Sequence, residues 1–284
     1  MGVYMGKLSF NSTIMLRNGV KMPRLGYGSA EIAPTVTEQT KIIRDAIDVG
    51  YRLIDTANIY HTERAVGKAI KESGISRDDF FVSTKIWNTD ARKGRKEIIK
   101  DFEESLRRLD MEYVDLLFVH WPVQGQLLET WEVMQDIYYS GRARALGLTN
   151  VRRHHYLDVM KNCDLYPHVQ QDSYNPLCRN LYNKIFCDNH NIVYEAFLPI
   201  VRGAVNDIPE LKEIAEKHNK SVIQVVLRWD LQSGVCTIPR TANKEHMISN
   251  ADIFDFALSD EEMKKINALN VEQDSNWDTE NFNF

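Results

Sequence analysis

The sequence predicts an α/β protein, a (β/α)8 TIM barrel with an N-terminal β-hairpin. Eight short apolar segments with the composition of strands follow one another along the chain, and segments with a helical spacing of apolar residues lie between them. The chain has 284 residues, and no Pro-, Gly- or Ser-rich linker divides it. We therefore expect residues 1–284 to form a single domain.

The predicted elements follow in a regular order. The hairpin spans residues 13–23, where Asn18 and Gly19 favour a tight turn. The predicted strands are 25–28, 52–55, 81–85, 116–120, 143–149, 169–171, 192–196 and 235–238. The clearest helical segments are 40–49, 98–109, 128–139, 211–218 and 222–231. This alternation of strand and helix favours a closed barrel over an open doubly wound sheet.

Charge and composition argue against two classes of protein. The formal net charge is −5, so the chain has no basic surplus with which to neutralise nucleic-acid phosphates. No apolar run approaches the roughly 20 residues of a membrane span, and the first residues do not resemble a secretory signal. The four cysteines lack the spacing of a metal site or a redox pair. We expect a cytoplasmic protein with reduced thiols and no metal site, binding neither nucleic acid nor membranes.

Four titratable side chains lie where three neighbouring predicted strands end. Asp55 ends the second strand and Tyr60 follows on its loop, Lys85 ends the third strand, and His120 ends the fourth. Reacting groups of such barrels lie at the carboxyl ends of the strands. Each residue alone has a structural explanation, such as a capping aspartate or a core histidine. The convergence of all four favours a functional site.

With these residues in place, the chain resembles the aldo-keto reductases, and in particular their short-loop microbial members. The resemblance is carried by MPRLGYGS, GYRLIDTANIYHTERAVGKAI, STKIWNTD, ESLRRLDMEYVDLLFVHWP, GLTN and IPRTANKEHMISN, which together extend over nearly the whole chain. It implies carbonyl reduction by hydride transfer from a nicotinamide cofactor. Tyr60 would donate the proton, Lys85 would lower the pKa of the phenol, Asp55 would hold Lys85, and His120 would orient the carbonyl.

The resemblance also implies a set of cofactor-binding residues. They are Gly28, Ser29, Thr149, Asn150, Gln171, Phe197, Arg240, Thr241, His246 and Asn250. Thr149, Asn150 and Gln171 would hold the nicotinamide carboxamide, and the Phe197 ring would stack on the nicotinamide. His246 stands where the family usually has arginine, and an imidazole is only partly charged near neutrality. We therefore expect NADPH to be preferred by a reduced margin, with NADH also used.

The substrate pocket is expected to be wide. Trp87 and Trp121 would form its walls, while Ala30 stands at a position that is often aromatic, and only a short loop follows Pro122. We expect a monomer that acts on small-molecule carbonyl substrates. The C-terminal tail contains Trp277, Phe282 and Phe284 and either folds over the pocket or is disordered; the sequence leaves both open.

Two other classes of function are compatible with such a barrel. One is a catalytically weak nucleotide-binding barrel with a regulatory or structural role. The other is a lyase or hydrolase in which Lys85 forms a Schiff base. The presence of both Tyr60 and Lys85 favours the reductase.

Overall fold

Ten strands form the centre of the protein in the computed structural model, which describes residues 8–272, Thr279 and Phe282. Two of them form an antiparallel hairpin, β1 (Thr13–Met15) and β2 (Lys21–Pro23). The other eight are β3 (Gly26–Gly28), β4 (Leu53–Asp55), β5 (Phe81–Ile86), β6 (Leu116–Val119), β7 (Leu146–Thr149), β8 (Val169–Ser173), β9 (Val193–Phe197) and β10 (Cys236–Thr237). These eight are parallel and pair in chain order.

A parallel bridge between Leu25 and Thr237 joins the first and last of these eight strands. The Thr237 amide donates to the Arg24 carbonyl at 3.0 Å, and the Gly28 amide donates to the Pro239 carbonyl at 3.2 Å. The sheet therefore closes on itself, and the predicted (β/α)8 barrel with an N-terminal hairpin is confirmed.

Helices follow the strands around the outside of the barrel. In the described part of the chain they are α1 (Val36–Val49), α2 (Glu63–Ser73), α3 (Asn88–Ala91), α4 (Arg95–Leu109), α5 (Leu127–Tyr139), α6 (Arg153–Asn162), α7 (Leu181–Asn189), α8 (Pro209–His218), α9 (Val222–Gln232), α10 (Lys244–Ala251) and α11 (Asp260–Asn267). Their ends follow ordinary capping rules. Ser221 and Gln224 form a capping box at the start of α9, and Gly50 ends α1 with a φ of 118°. The five predicted helices lie within α1, α4, α5, α8 and α9.

The hairpin closes the end of the barrel where the strands begin. Its Leu16 and Met22 are buried in one apolar cluster with Leu53, Phe81 and Leu116, the first residues of β4, β5 and β6. Burial of these side chains supplies the hydrophobic stabilisation of this end. The hairpin thus covers this end, and the carboxyl ends of the strands lie at the opposite end.

Side chains that point into the barrel alternate with side chains that point to the helices. On β5, Phe81 belongs to the inner cluster and Val82 to the outer core. Because the strand period is two, Lys85 points to the same side as Phe81. By the same alternation, Asp55 faces the same side as Leu53 on β4. His120, just after β6, faces the same side as Leu116. On each of these strands the inward-facing side chains are apolar where the strand begins and polar where it ends. This alternation places the predicted catalytic residues Asp55, Lys85 and His120 on the inner face at the same end of the barrel.

The four cysteines are unpaired and buried. In residues 8–272, no helix combines the length and the apolar character that crossing a bilayer would require.

Candidate active site

A buried ion pair lies at the centre of the site. The Lys85 Nζ donates to both carboxylate oxygens of Asp55 at 2.7 Å and to the Thr56 carbonyl at 3.0 Å. Burial lowers the pKa of Lys85, but the attraction of Asp55 and Tyr60 outweighs this effect and raises the pKa above its ordinary value. Lys85 is therefore a fixed cation.

Tyr60 lies on the short 3-10 turn 58–60 that follows β4. Its hydroxyl is 3.3 Å from the Nε2 of His120, and the Lys85 ammonium lies 5.0 Å from the centroid of its ring. Burial raises the pKa of Tyr60, while the charge of Lys85 acts in the opposite direction. The lowering effect of Lys85 is as predicted, but burial is larger and the net shift is upward. The phenol is protonated near neutral pH and can donate a proton.

His120 is held neutral. Burial lowers its pKa well below the usual value, and the charge of Lys85 acts in the same direction. The His120 carbonyl accepts from the Thr149 hydroxyl and from the Asn150 amide, the latter at 2.9 Å. A neutral imidazole in this position can share a hydrogen bond with a substrate oxygen without adding charge.

These side chains open into a cavity of about 1040 Å³. Tyr60 and His120 lie in its wall together with Ala30, Trp87 and Trp121. The predicted pocket residues are thus brought together beside the predicted catalytic residues. Edge contact between the rings of Trp87 and His120, with centroids 4.9 Å apart, positions the imidazole.

Part of the C-terminal tail packs against Trp121 in the wall of this cavity. The ring centroid of Phe282 is 5.3 Å from that of Trp121, and the Arg92 guanidinium is 5.9 Å from the Phe282 ring. The Thr279 hydroxyl accepts from Arg152 at 3.1 Å. Of the two arrangements left open by the sequence, these contacts favour a tail packed against the pocket. Trp277 and Phe284 lie outside the described residues.

A second cavity of about 580 Å³ adjoins the first. Gly28, Asn150, Gln171, Phe197 and Arg240 line the first cavity, whereas Arg240, Thr241, His246 and Asn250 line the second. The two halves of the predicted cofactor site are therefore contiguous. Leu198, Arg202, Ile238 and Arg240 line both cavities.

Ser29 and Thr149 do not line either cavity. Both are fully buried. The Ser29 hydroxyl donates to the Asp55 carbonyl at 2.8 Å and lies 2.9 Å from the Thr62 hydroxyl. In the described structure both hydroxyls bond to protein groups, and their contact with a cofactor stays a prediction.

Glu195 is a site residue that the sequence prediction missed. The Gln171 amide donates to Asp55 at 3.0 Å and to the Glu195 carboxyl at 2.7 Å. Burial and the nearby charge of Asp55 raise the pKa of Glu195. An amide nitrogen has two hydrogens, and these contacts use both, so the amide oxygen of Gln171 is left to face the cavity. The sequence does contain a signal for Glu195: an acidic residue within a buried apolar strand, the same signal that pointed to Asp55.

The loop after β9 has an unusual backbone. Leu198, Val201 and Arg202 have φ angles of 50°, 46° and 53°. A positive φ is particularly unfavourable for a β-branched residue such as Val201. This loop carries Arg202 to the junction of the two cavities.

Asp55, Lys85, Tyr60 and His120 thus lie together at the open end of a closed (β/α)8 barrel, where such barrels carry their reacting groups. The model of the Aldo/keto reductase family matches residues 24–271, and the chain belongs to this family. No cluster of three or more potential metal ligands occurs in the part of the chain that the structure describes.

Characterised relatives align over almost their whole length. The chain is 42% identical to the glyoxal reductase of Bacillus subtilis over 93% of this chain and 95% of that protein. It is 40% identical to the 9,11-endoperoxide prostaglandin H2 reductase of Trypanosoma cruzi, over 95% of each. It is 32% identical to a methylglyoxal reductase of Escherichia coli, over 91% of this chain and 93% of that protein.

Solved structures with the same fold include cofactor complexes. A variant of Gox0644 in complex with NADPH is similar with a TM-score of 0.91 and 31% identity, covering 96% of this chain and 99% of that one. The aldo-keto reductase of Bombyx mori in complex with NADP has a TM-score of 0.87 and 30% identity, covering 94% and 95%.

Proposed function

We propose that this protein reduces small aldehydes and ketones to alcohols with NADPH, and that Tyr60 donates the proton. The observation that carries the proposal is the position of the Tyr60 hydroxyl, 3.3 Å from His120 Nε2 and beside the buried Lys85 cation. A carbonyl oxygen placed between the phenol and the imidazole would meet two hydrogen-bond donors.

The cavities fit a nicotinamide cofactor. The Oδ1 of Asn150 is buried without a hydrogen-bond partner in the described structure, and the Gln171 amide oxygen faces the same cavity. Both are acceptors suited to the carboxamide group of a nicotinamide. Phe197 offers an aromatic face, and Arg240 and His246 offer basic groups to a phosphate in the second cavity. When bound, the cofactor would supply the hydride.

The protein residues would stabilise the charge that develops on the carbonyl oxygen. Tyr60 would transfer its proton to this oxygen, and Lys85 would stabilise the phenolate that remains. Asp55 keeps Lys85 oriented through the two hydrogen bonds to its carboxylate. His120, being neutral, would orient the carbonyl without competing as an acid. The apolar walls of Trp87 and Trp121 would exclude water from the reacting groups.

The relatives support small reactive aldehydes as substrates. Two of them bear the names glyoxal reductase and methylglyoxal reductase, at 42% and 32% identity. The half-buried Ala30 leaves space in the wall of the cavity. A Schiff-base mechanism is disfavoured, because Lys85 donates to three oxygens and its raised pKa keeps the amine protonated.

The test is NADPH oxidation at 340 nm with a panel of aldehydes, ketones and sugars. Tyr60→Phe should lower turnover by about 10²- to 10⁴-fold, the usual range for loss of general acid catalysis, while the NADPH dissociation constant stays nearly unchanged. Tyr182→Phe is the matched control, because Tyr182 is exposed and distant from the cavity. Near-normal turnover of Tyr60→Phe, under conditions where chemistry limits the rate, would reject the assignment.

A further inference from the structure

The turn that carries Tyr60 is attached to helix α4 by a single side-chain bond. The Nδ2 of Asn58 donates to the Oδ1 of Asp101 at 2.6 Å. Asn58 is the first residue of the turn, and the backbone of the same turn is closed by hydrogen bonds from Tyr60 to Ala57 and from His61 to Asn58, both at 3.1 Å. Movement of Asn58 would therefore move Tyr60.

The other end of the same segment is anchored on the inner side. The Thr62 hydroxyl lies 2.8 Å from that of Thr56 and 2.9 Å from that of Ser29. Between these anchors, Tyr60 interacts with His120 and Lys85 on the inner side of the turn, whereas Asn58 bonds outward to Asp101 on α4. The Asn58–Asp101 bond thus holds the outer side of the turn.

Asp101 is buried in an acidic environment. It is 8% exposed, and its Oδ2 has no hydrogen-bond partner in the described structure. Asp90 on α3 and Glu63 on α2 face it with like charge, whereas Arg108 on α4 lies 3.7 Å from it. Arg108 is drawn away by a shorter contact of 2.6 Å with Glu63. The negative charge of ionised Asp101 is therefore poorly compensated by its neighbours.

We propose that Asn58 and Asp101 are positioning residues for Tyr60, and that the charge of Asp101 sets how firmly the turn is held. A hydrogen bond to a carboxylate is roughly twice as strong as one to a neutral acceptor. Ionised Asp101 therefore holds Asn58 more tightly than protonated Asp101 does. This inference rests on the proposed reductase function for its kinetic consequences, but not for its structural ones.

The charge of Asp101 changes near neutral pH. Burial, with Asp90 next in effect, raises the pKa of Asp101 to about 7, and Arg108 only partly opposes this shift. As pH rises through this value, the carboxylate forms and the turn becomes more firmly held. We expect turnover at saturating substrate to rise over the same range.

The first test does not depend on activity. Hydrogen exchange of the backbone amides of Tyr60 and His61 should be faster in Asn58→Ala than in the unaltered protein. In the unaltered protein it should be faster at pH 6 than at pH 8, once the intrinsic dependence of exchange on pH is removed. Exchange that is equal in Asn58→Ala and the unaltered protein would overturn the proposal.

The second test is kinetic. Asn58→Ala should lower kcat about ten- to hundredfold, the range expected for a misplaced reacting group, with little change in the NADPH dissociation constant. Asp101→Asn keeps a neutral acceptor for Asn58, so at every pH it should show the turnover that the unaltered protein has at low pH, without the rise near pH 7. Asp90→Asn is the matched control, because it removes a neighbouring charge and should move the rise to lower pH without abolishing it.

The two proposals fail in different ways. If the unaltered protein does not oxidise NADPH with any carbonyl compound, the proposed function fails and hydrogen exchange still tests the turn. If NADPH is oxidised but kcat of Asn58→Ala is normal, or the pH rise persists in Asp101→Asn, the positioning role is wrong.

Discussion

Lys85 and Asp55 form an ion pair from which water is almost completely excluded. The side chains are 0% and 5% exposed, and the ammonium is 2.7 Å from each carboxylate oxygen. A buried pair of this kind is strongly destabilised when one partner is removed, because the other remains as an uncompensated charge. Stability and catalysis can therefore be separated at this pair.

Asp55→Asn should reduce the free energy of unfolding by roughly 3 kcal/mol, at the lower end of the range for breaking a buried ion pair. The double variant Asp55→Asn and Lys85→Met should recover much of this loss, since no charge is left buried. Both variants should be nearly inactive, because the cation beside Tyr60 is displaced or absent. Urea unfolding and NADPH oxidation measure the two properties. A double variant no more stable than Asp55→Asn would contradict this account.

The choice of cofactor should depend on Arg240 and His246, which line the second cavity. The Arg240 guanidinium donates to the Ala30 carbonyl at 2.7 Å and to Glu31 at 3.2 Å, so Glu31 competes with a bound phosphate. We expect NADPH to bind more tightly than NADH, but only by a small margin, because Arg240 is shared with Glu31 and histidine is a weaker phosphate ligand than arginine.

Dissociation constants from quenching of tryptophan fluorescence test this expectation. Arg240→Ala should nearly abolish the preference, and His246→Arg should strengthen NADPH binding, because the guanidinium is permanently charged and can bind a phosphate through two hydrogen bonds. Arg202→Ala provides the control: Arg202 lies at the junction of the cavities, where the diphosphate common to both cofactors would pass, so both should weaken equally. If the unaltered protein bound NADPH and NADH with equal affinity, and Arg240→Ala changed neither, the proposed role of Arg240 in cofactor choice would be wrong.

Substrate breadth should follow from the space beside Ala30. We expect several unrelated small aldehydes to be reduced with kcat/KM values within about tenfold, a spread of roughly 1.4 kcal/mol in transition-state binding. Ala30→Trp should reduce kcat/KM for large substrates more than for small ones. Ala30→Ser, which adds little volume, serves as the control. A preference of several orders of magnitude in kcat/KM for one aldehyde would contradict this prediction, because it would mean that the pocket discriminates strongly by substrate shape.

Asp230 should make the stability of the protein depend on pH. It is fully buried on α9, and the neighbouring Thr237 hydroxyl only partly offsets the effect of that burial on the carboxyl group. Burial raises its pKa well above the ordinary value. Its contribution to stability is therefore fully present below about pH 4, the value for an unfolded chain, and declines as pH rises, because unfolding releases its proton.

Asp230→Asn removes this titration. The variant should be more stable than the unaltered protein at pH 8 by roughly 1–3 kcal/mol, the usual cost of an unsatisfied buried polar group, and the difference should shrink toward pH 4. Denaturant unfolding at several pH values measures it. Glu216→Gln, at an exposed position on α8, should show no such difference. A difference that is independent of pH would indicate a packing effect instead.

The strands and the positions of the proposed catalytic residues could be predicted because both depend on local periodicity. Counting in steps of two from Phe81 leads to Lys85, and the end of a strand is marked by the residues around it. The same count from Val193 leads to Glu195, so this residue was accessible to sequence reasoning and was overlooked.

Other features depend on distances that no local pattern encodes. Asn58 contacts Asp101 because α4 lies beside the turn after β4, although the two residues are 43 positions apart in the chain. Ser29 and Thr149 have the residue types expected of cofactor contacts, but the packing around them turns their hydroxyls to the protein. The positive φ angles of Val201 and Arg202 run against their residue types, so the position of Arg202 could not be inferred.

The line along which the chain at β3 meets β10, here called the seam of the barrel, is the last part of the barrel to be synthesised. Gly28 and Arg240, which flank the seam, both line the first cavity, although one emerges early and the other late in synthesis. A nascent chain that ends before residue 235 already contains Asp55, Tyr60, Lys85 and His120, yet it lacks the closing strand and the part of the second cavity formed by Arg240, Thr241, His246 and Asn250. The two cavities are therefore complete only after the last barrel strand has been made.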